Sequence, residues 1–270
     1  MATKLRLPMV DLSSPDRLST ANSIRQACVD YGFFYLVNHG VDDQLLSSAF
    51  QQSAKFFTLP LNYKLSLSRK EYRGYTPLYS ENLDPSSQSK ELLPDWRPTM
   101  ESLIWKLLEA GKKLMSLIAL SLNLDDDFFE KTALNKPAAF LRLLHYPGEL
   151  GSYEELCGAS AHSDYGMITL LVTDGVPGLQ ICKEKFKQPR VWEDVSHVEG
   201  AFIVNIGDLM ERWTNCIYRS TLHRVIPTGK ERYSMAFFLD PPSDCVVECF
   251  ESCCSESSPP RFPPIRSGDY

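Results

Sequence analysis

His162 and Asp164 stand two residues apart in the stretch SAHSDYGMITLL, just ahead of an apolar run. On an extended backbone, residues i and i+2 project from one face, so imidazole and carboxylate face one way and Ser163 the other. Such a pair can hold a cation, or it can be polar punctuation before a buried strand. The chain has five histidines, His39, His145, His162, His197 and His223, and any one alone is more often structural than a ligand. His223 sits in a second strand-like run, STLHRV. Jelly-roll strands bring such distant segments side by side. Two imidazoles and one carboxylate on one face of a metal leave coordination positions open, as in the facial triad of non-haem Fe(II) oxygenases. The vacancies matter, because O2 and an anionic co-substrate must both reach the metal. Zinc with two histidines, a carboxylate and a water serves hydrolysis. On these three residues both metals stay open, with iron favoured.

Arg232 and Ser234 form another i, i+2 pair, in KERYSMAFFLDPP. A guanidinium and a hydroxyl on one face can clamp a carboxylate, the guanidinium through its planar fork. The flanks Met235, Ala236, Phe237 and Phe238 are apolar. An arginine entering such a strand needs an anion to offset its desolvation.

The elements that must position these residues can be read from texture. LPMVDLSS predicts a short strand and then a helix start, capped by Ser13 or Ser14 with Pro15 near its first turn and running to about Asp30. FFYLVNHG (33–40) predicts a buried strand. Asp42 to Phe57 has helical apolar spacing, and Pro60 is expected to close that region. Residues 71–99, rich in Pro, Ser, Tyr and Gly, read as a long loop. A long amphipathic helix from about Thr99 to Leu122 follows, and DDDFFEK begins a short one. From residue 138 the texture turns to short apolar runs divided by Gly, Pro, Asp and Asn. The fold class expected is α+β with a mainly β core, a jelly roll under a helical N-terminal layer. The divisions expected are 1–99, a set of linking helices over 100–137, and a catalytic β domain over 138–270.

The chain has 270 residues, 43% hydrophobic and 23% charged, with net charge −6. That length supports a large core. The acidic balance argues against a nucleic-acid or anionic-membrane surface. The N-terminus lacks the features of a signal peptide, so a cytoplasmic enzyme is expected, with its eight cysteines as free thiols. Cys245, Cys249, Cys253 and Cys254 are spaced C-x3-C-x3-C-C, which matches no usual zinc pattern; a structural or incidental role is expected of them. A monomer is the default state.

The segments AHSD, NIGDLMERWTN, YRSTLHRV and RYSMAFFLDP together resemble the plant 2-oxoglutarate- and Fe(II)-dependent dioxygenases, which are close in fold to isopenicillin N synthase. LPMVDLS, YGFFYLVNHGV and AKFFTLPLNYK resemble that family's N-terminal region, so the match covers nearly the whole chain. The resemblance implies a double-stranded β-helix. It implies Fe(II) on His162, Asp164 and His223, and 2-oxoglutarate chelated there with its far carboxylate on Arg232 and Ser234. Tyr146 in LLHYP falls on the second tyrosine of the family's N-Y-Y-P motif, which contacts 2-oxoglutarate. Leu144 and His145 replace the usual asparagine and first tyrosine, and His145 is expected to pack or hydrogen-bond within its strand. His39 is expected to be structural and His197 to lie on the surface. Arg142, Tyr75 and Phe238 are candidates for the substrate pocket, and packing roles remain open for each.

The implied reaction consumes O2 and 2-oxoglutarate, releases succinate and CO2, and oxidises a small-molecule metabolite of plant secondary metabolism, with ascorbate as reductant. Two alternatives stay open: a same-fold Fe(II) oxidase that does not use 2-oxoglutarate, and a shortened isoform that binds without turnover. The second is motivated by the abrupt join at Lys90–Glu91 and by the ending PPIRSGDY; Cys216, where the family usually has a turn glycine, is a separate departure that the turn must meet through Asn215 or by adjusting.

Overall fold

The computed structural model describes residues 4–67, 74–76, 93–148 and 158–270. The chain forms two compact units, residues 1–41 with 104–270, and residues 42–103.

The first unit opens with β1 (Lys4–Leu5), β2 (Met9–Asp11), α1 (Arg17–Asp30) and β3 (Phe33–Val37). Asp16, not Ser13 or Ser14, caps α1: its Oδ1 accepts the Ser19 N–H at 3.0 Å. Ser13 is engaged elsewhere, donating both its N–H and its hydroxyl to Asp11 Oδ1. Gly32 ends the turn after α1 with φ +66°, and a Cβ there would fall on the Arg219 carbonyl.

In the second unit α2 (Asp43–Thr58) is capped by Asp42, whose Oδ1 accepts from the N–H of Gln44 and Leu45. α2 ends at Thr58, just before Pro60 as expected, and Pro60 is at the same time the cap residue from which a further helix, α3 (Leu61–Ser66), starts. At a helix start its missing N–H costs nothing. The long helix α4 (Trp96–Ser121) begins three residues before Thr99. The rest of the loop expected over 71–99 lies outside the described residues save 74–76 and 93–95, and the Lys90–Glu91 join lies outside them too.

Beyond α5 (Phe128–Thr132) come β4 (Ala138–Tyr146), β5 (Ala159–His162), β6 (Ile168–Thr173), β7 (Leu179–Cys182), β8 (Glu193–Val195) and β9 (Phe202–Ile206). Then follow α6 (Asp208–Trp213), β10 (Leu222–Val225), β11 (Arg232–Asp240), β12 (Val246–Val247) and β13 (Ile265–Arg266). A major sheet runs β2-β3-β9-β6-β11-β4, a minor one β1-β8-β7-β10-β5, and β12 pairs with β13. Strands from the N-terminal segment are thus built into both sheets: β1 pairs with β8 and β3 with β9. Between the sheets lies a core of Phe33, Tyr35 and Ile203 from the major sheet and Leu179, Ile181 and Val225 from the minor one. This is the expected jelly roll. Among the described residues no helix is long and apolar enough to cross a membrane.

The register sets what faces the interior. Phe33, Asn205, Thr169, Phe238 and Phe140 are successive cross-strand partners over five strands, so they form one transverse row. The next row on that face runs Tyr35, Ile203, Leu171, Ala236 and Arg142. Thr173, Ser234 and Leu144 follow, then Arg232 opposite Tyr146.

Candidate metal centre and co-substrate site

His162 is the last residue of β5 and is the cross-strand partner of His223 on β10. Their rings lie 4.3 Å apart between centroids. Asp164 follows β5 in a turn whose carbonyl accepts the Asp208 N–H, the first residue of α6, at 2.7 Å. His162 Nε2 lies 3.7 Å and His223 Nε2 3.6 Å from the same oxygen, Asp164 Oδ1. Among the described residues this trio alone brings three metal-ligating groups together, its ligand atoms all within 4.8 Å of one another.

Both imidazoles present the correct nitrogen. The Nδ1–H of His162 donates to the Ser160 carbonyl at 2.6 Å, and that of His223 to the Thr221 carbonyl at 3.2 Å. A carbonyl only accepts, so each Nδ1 carries the proton and each Nε2 lone pair points to Asp164. Burial pulls the His223 pKa below its ordinary value, with Asp164 opposing and His162 adding to the fall. Its neutral, ligating form is therefore favoured.

The carboxylate is divided between two tasks. Asp164 Oδ2 accepts from Thr169 Oγ1 at 2.6 Å and from Asn205 Nδ2 at 2.7 Å, which leaves Oδ1 to the histidines. Thr169 and Asn205 are neighbours in the transverse row of the major sheet, so that sheet anchors the acid while the minor sheet carries the histidines. Sequence reasoning assigned no role to either residue. The available signal was a polar residue inside a buried apolar strand, FIVNI, which demands a partner.

Arg232 and Ser234 are buried at 3% and 1% exposure. The Arg232 Nη1–H donates to Ser234 Oγ and its Nε–H to the Val176 carbonyl, both at 3.2 Å. Its guanidinium lies 5.0 Å from the Tyr146 ring centroid. Among the described residues no carboxylate forms an ion pair with it. Burial pulls the guanidinium down from its usual range, and burial chiefly raises the Tyr146 phenol. A buried cation without a counter-ion is the electrostatic requirement of a carboxylate pocket. The residues therefore fit both groups: an N,N,O donor set with open positions for Fe(II), and a guanidinium–hydroxyl clamp for a dicarboxylate.

Phe238 faces the interior in the same row as Thr169 and Asn205, stacked on Phe140 with ring centroids 4.7 Å apart. Arg142 lies one row nearer the clamp, its guanidinium 5.4 Å from the Phe238 ring centroid. Tyr75 belongs to the second unit, where its ring meets Phe56 edge-on and its N–H donates to the Leu67 carbonyl. His145 stacks on Tyr233 and bonds Glu231 at 2.8 Å. Buried His39 stacks on Phe202 and contacts the Gly200 carbonyl, and exposed His197 contacts Thr173.

Asp240, at the end of β11, also escaped sequence reasoning. Its Oδ1 is buried with no hydrogen-bond partner, and a Cβ on Gly166 would fall on its carboxyl. Burial pushes it up to about 7; Asp164 adds to the rise and a bond from the Met167 backbone opposes it. The expected irregularity at Cys216 is also present: Asn215 and Cys216 both adopt positive φ, 53° and 66°.

Two facing sheets, a His–Asp–His group able to hold a metal ion and a buried guanidinium are what a jelly-roll, metal-dependent oxygenase requires. Residues 137–241 match the family described as the 2OG-Fe(II) oxygenase superfamily, and residues 7–107 match the non-haem dioxygenase in morphine synthesis N-terminal region. Kihadalactone A synthase of Citrus sinensis is 38% identical over 98% of this chain and 90% of its own. Azadirone synthase of Melia azedarach is 35% identical over the same shares. The Citrus alignment occupies 301 positions against 270 residues here, in keeping with a shortened chain. A full-length Neurospora crassa protein, solved in complex with alpha-KG and thymine, superposes with TM-score 0.85 at 27% identity, over 98% of this chain and 94% of that one. JOX2, solved with 2OG, Fe and JA, gives 0.81 at 29% identity, over 100% and 85%. The chain belongs to the 2-oxoglutarate- and Fe(II)-dependent oxygenases and is an oxidoreductase that uses Fe(II) and 2-oxoglutarate.

Proposed function

We propose that His162, Asp164 and His223 hold the Fe(II), and that Arg232, Ser234 and Tyr146 seat the far carboxylate of 2-oxoglutarate. The observation that carries this reading is the convergence of two Nε2 atoms on Asp164 Oδ1, with Oδ2 tied back to Thr169 and Asn205. When bound, iron and 2-oxoglutarate supply O2 activation with release of succinate and CO2. The chain's own residues do the rest. The Ser160 and Thr221 carbonyls hold each imidazole's proton on Nδ1. Thr169 and Asn205 keep Asp164 monodentate, which preserves open positions. Arg232 fixes one end of the co-substrate through charge-assisted bonds.

Phe238 and Arg142 form the substrate side in this reading, an aromatic surface beside a cation, both on the interior face of the major sheet. The substrate is a small metabolite of the kind for which the Citrus and Melia relatives are named. The enzyme acts as a monomer, in the cytoplasm, with ascorbate keeping the iron reduced, and without nucleic acid or membrane. The seven cysteines among the described residues are unpaired, which suits a reducing compartment. Residues 138–270 carry the iron and co-substrate machinery, 1–99 form the N-terminal region and 100–137 the linking helices.

The test is a metabolite screen read by succinate. Purified protein with Fe(II), ascorbate and 2-oxoglutarate is expected to release succinate in proportion to an added metabolite. A metabolite oxidised without matching succinate would refute the assignment of the clamp.

A further inference from the structure

The chain beyond β12 returns to the turn that carries the proposed metal ligands. β13 pairs with β12, Arg266 opposite Val246 and Ile265 opposite Val247. Past it, Ser267 and Gly268 donate their N–H groups to the carbonyls of Cys245 and Ser243 at 2.8 and 2.9 Å. Arg212 on α6 fastens the same segment: its Nη2–H donates to the Pro263 carbonyl at 3.0 Å. Its guanidinium lies 4.6 Å from the Phe262 ring centroid and 5.4 Å from that of Tyr270. These anchors set Tyr270 against the turn. Its ring meets the Tyr165 ring edge-on, centroids 6.2 Å apart and planes at 78°. Its hydroxyl donates to Asp208 Oδ2 at 3.2 Å.

Asp208 links Tyr270 to the ligand turn. The same Oδ2 accepts the hydroxyl of Ser163 at 3.2 Å. The Asp208 N–H donates to the Asp164 carbonyl at 2.7 Å, so its backbone is fixed and its carboxyl alone is left to turn. A carboxylate only accepts, so both hydroxyls donate to it, and each helps to hold it for the other. Ser163 stands between His162 and Asp164 and projects away from them. Pinning its side chain fixes the rotation of this short stretch about its own axis. That rotation sets the direction in which the residues on either side point.

We propose that Tyr270 is a positioning residue for the metal centre: through Asp208 it holds Ser163, and so aims His162 and Asp164 at one point. This rests on the iron assignment above. Tyr270 acts through Asp208 and Ser163 rather than on the metal. Its ring is held by Arg212 and Tyr165, so phenylalanine would pack there as tyrosine does and only the link to Asp208 would be lost. Asp208 Oδ2 then keeps one of these two donors, Ser163 is held less firmly, and the trio spends less of its time in the ligating arrangement. Metal affinity falls in proportion to that fraction.

The experiment titrates the full chain with Co(II), read by its d–d absorption, in wild type, Tyr270→Phe, Ser163→Ala, the double variant and Asp164→Ala, each folded by circular dichroism. Tyr270→Phe and Ser163→Ala are each expected to weaken binding about 3- to 10-fold, the scale of one hydrogen bond. Both are expected to change the spectrum of the bound metal in the same sense. The double variant is expected to bind as the weaker of the two single variants does, because both act through one carboxylate. Wild-type affinity and spectrum in Tyr270→Phe, which a packing role alone predicts, would overturn the proposal, and so would losses that multiply in the double variant. Asp164→Ala separates the two levels. Loss of binding there beside an unaffected Tyr270→Phe removes this link alone, whereas wild-type binding by Asp164→Ala removes the iron assignment and the link with it.

Discussion

Asn205 donates its side-chain amide to Asp164 Oδ2 across 2.7 Å, from a strand of the sheet opposite the histidines. This bond, with that of Thr169, decides which oxygen of Asp164 faces His162 and His223. Residues supporting a metal ligand in this way are typically worth about 10–100-fold in metal affinity. Asn205→Ala is therefore expected to weaken Fe(II) or Co(II) binding by about that factor, and Thr169→Val with Asn205→Ala to weaken it further. Metal titration of the folded variants checks this, and unchanged affinity in the double variant refutes the anchoring role.

Arg232 pairs with no described carboxylate and is almost fully buried. Arg232→Gln removes charge-assisted bonds worth about 1.5–3 kcal/mol, so KM for 2-oxoglutarate is expected to rise roughly 10- to 150-fold. Arg232→Lys keeps the charge without the fork and is expected to recover only part of the loss. Fe(II) affinity should stay at the wild-type value in both, because neither change touches the triad. A metal titration beside the kinetics separates the two sites.

Asp240 gives a pH signature. Its carboxyl is raised to about 7 from an ordinary value of 3.8, so the folded state binds the proton more tightly than the unfolded one. Stability is then lost as pH rises from about 4 to about 7, up to about 4 kcal/mol for a shift of that size. Asp240→Asn removes the ionisation. Its stability relative to wild type is expected to increase between pH 5 and pH 8, read by thermal or urea unfolding. A difference independent of pH would show that burial of this carboxyl is relieved in solution.

Cys216 holds φ 66° with a side chain, in a turn that elsewhere suits glycine. Left-handed backbone costs an L residue roughly 1–2 kcal/mol, while glycine adds up to about 1 kcal/mol of entropy to the unfolded chain. Cys216→Gly is expected to be neutral to about 1 kcal/mol stabilising. A loss of stability on substitution would mean that the Cys216 side chain contributes packing that outweighs its strain.

The residues of the proposed triad and clamp could be picked out because each set uses a strand's two-residue period: His162 with Asp164, and Arg232 with Ser234. Such spacing survives in a linear sequence, and the strand-like runs around it supplied the fold class. What escaped depended on register between distant strands. Thr169 and Asn205 lie 36 residues apart and become neighbours only through the β6–β9 pairing. The orphaned Asp240 carboxyl is defined by Gly166, a loop residue far away in sequence. Local competition explains a smaller error. Asp11 engages Ser13, which leaves Asp16 to cap α1.

Succinate formation by wild type and Asp164→Ala, assayed together with Fe(II), ascorbate, O2 and 2-oxoglutarate, tests the central assignment most directly. Wild type is expected to convert 2-oxoglutarate to succinate, and Asp164→Ala, folded by circular dichroism, to fall to the level of the protein-free mixture. Equal succinate from the two proteins would contradict the assignment of this carboxylate as an iron ligand.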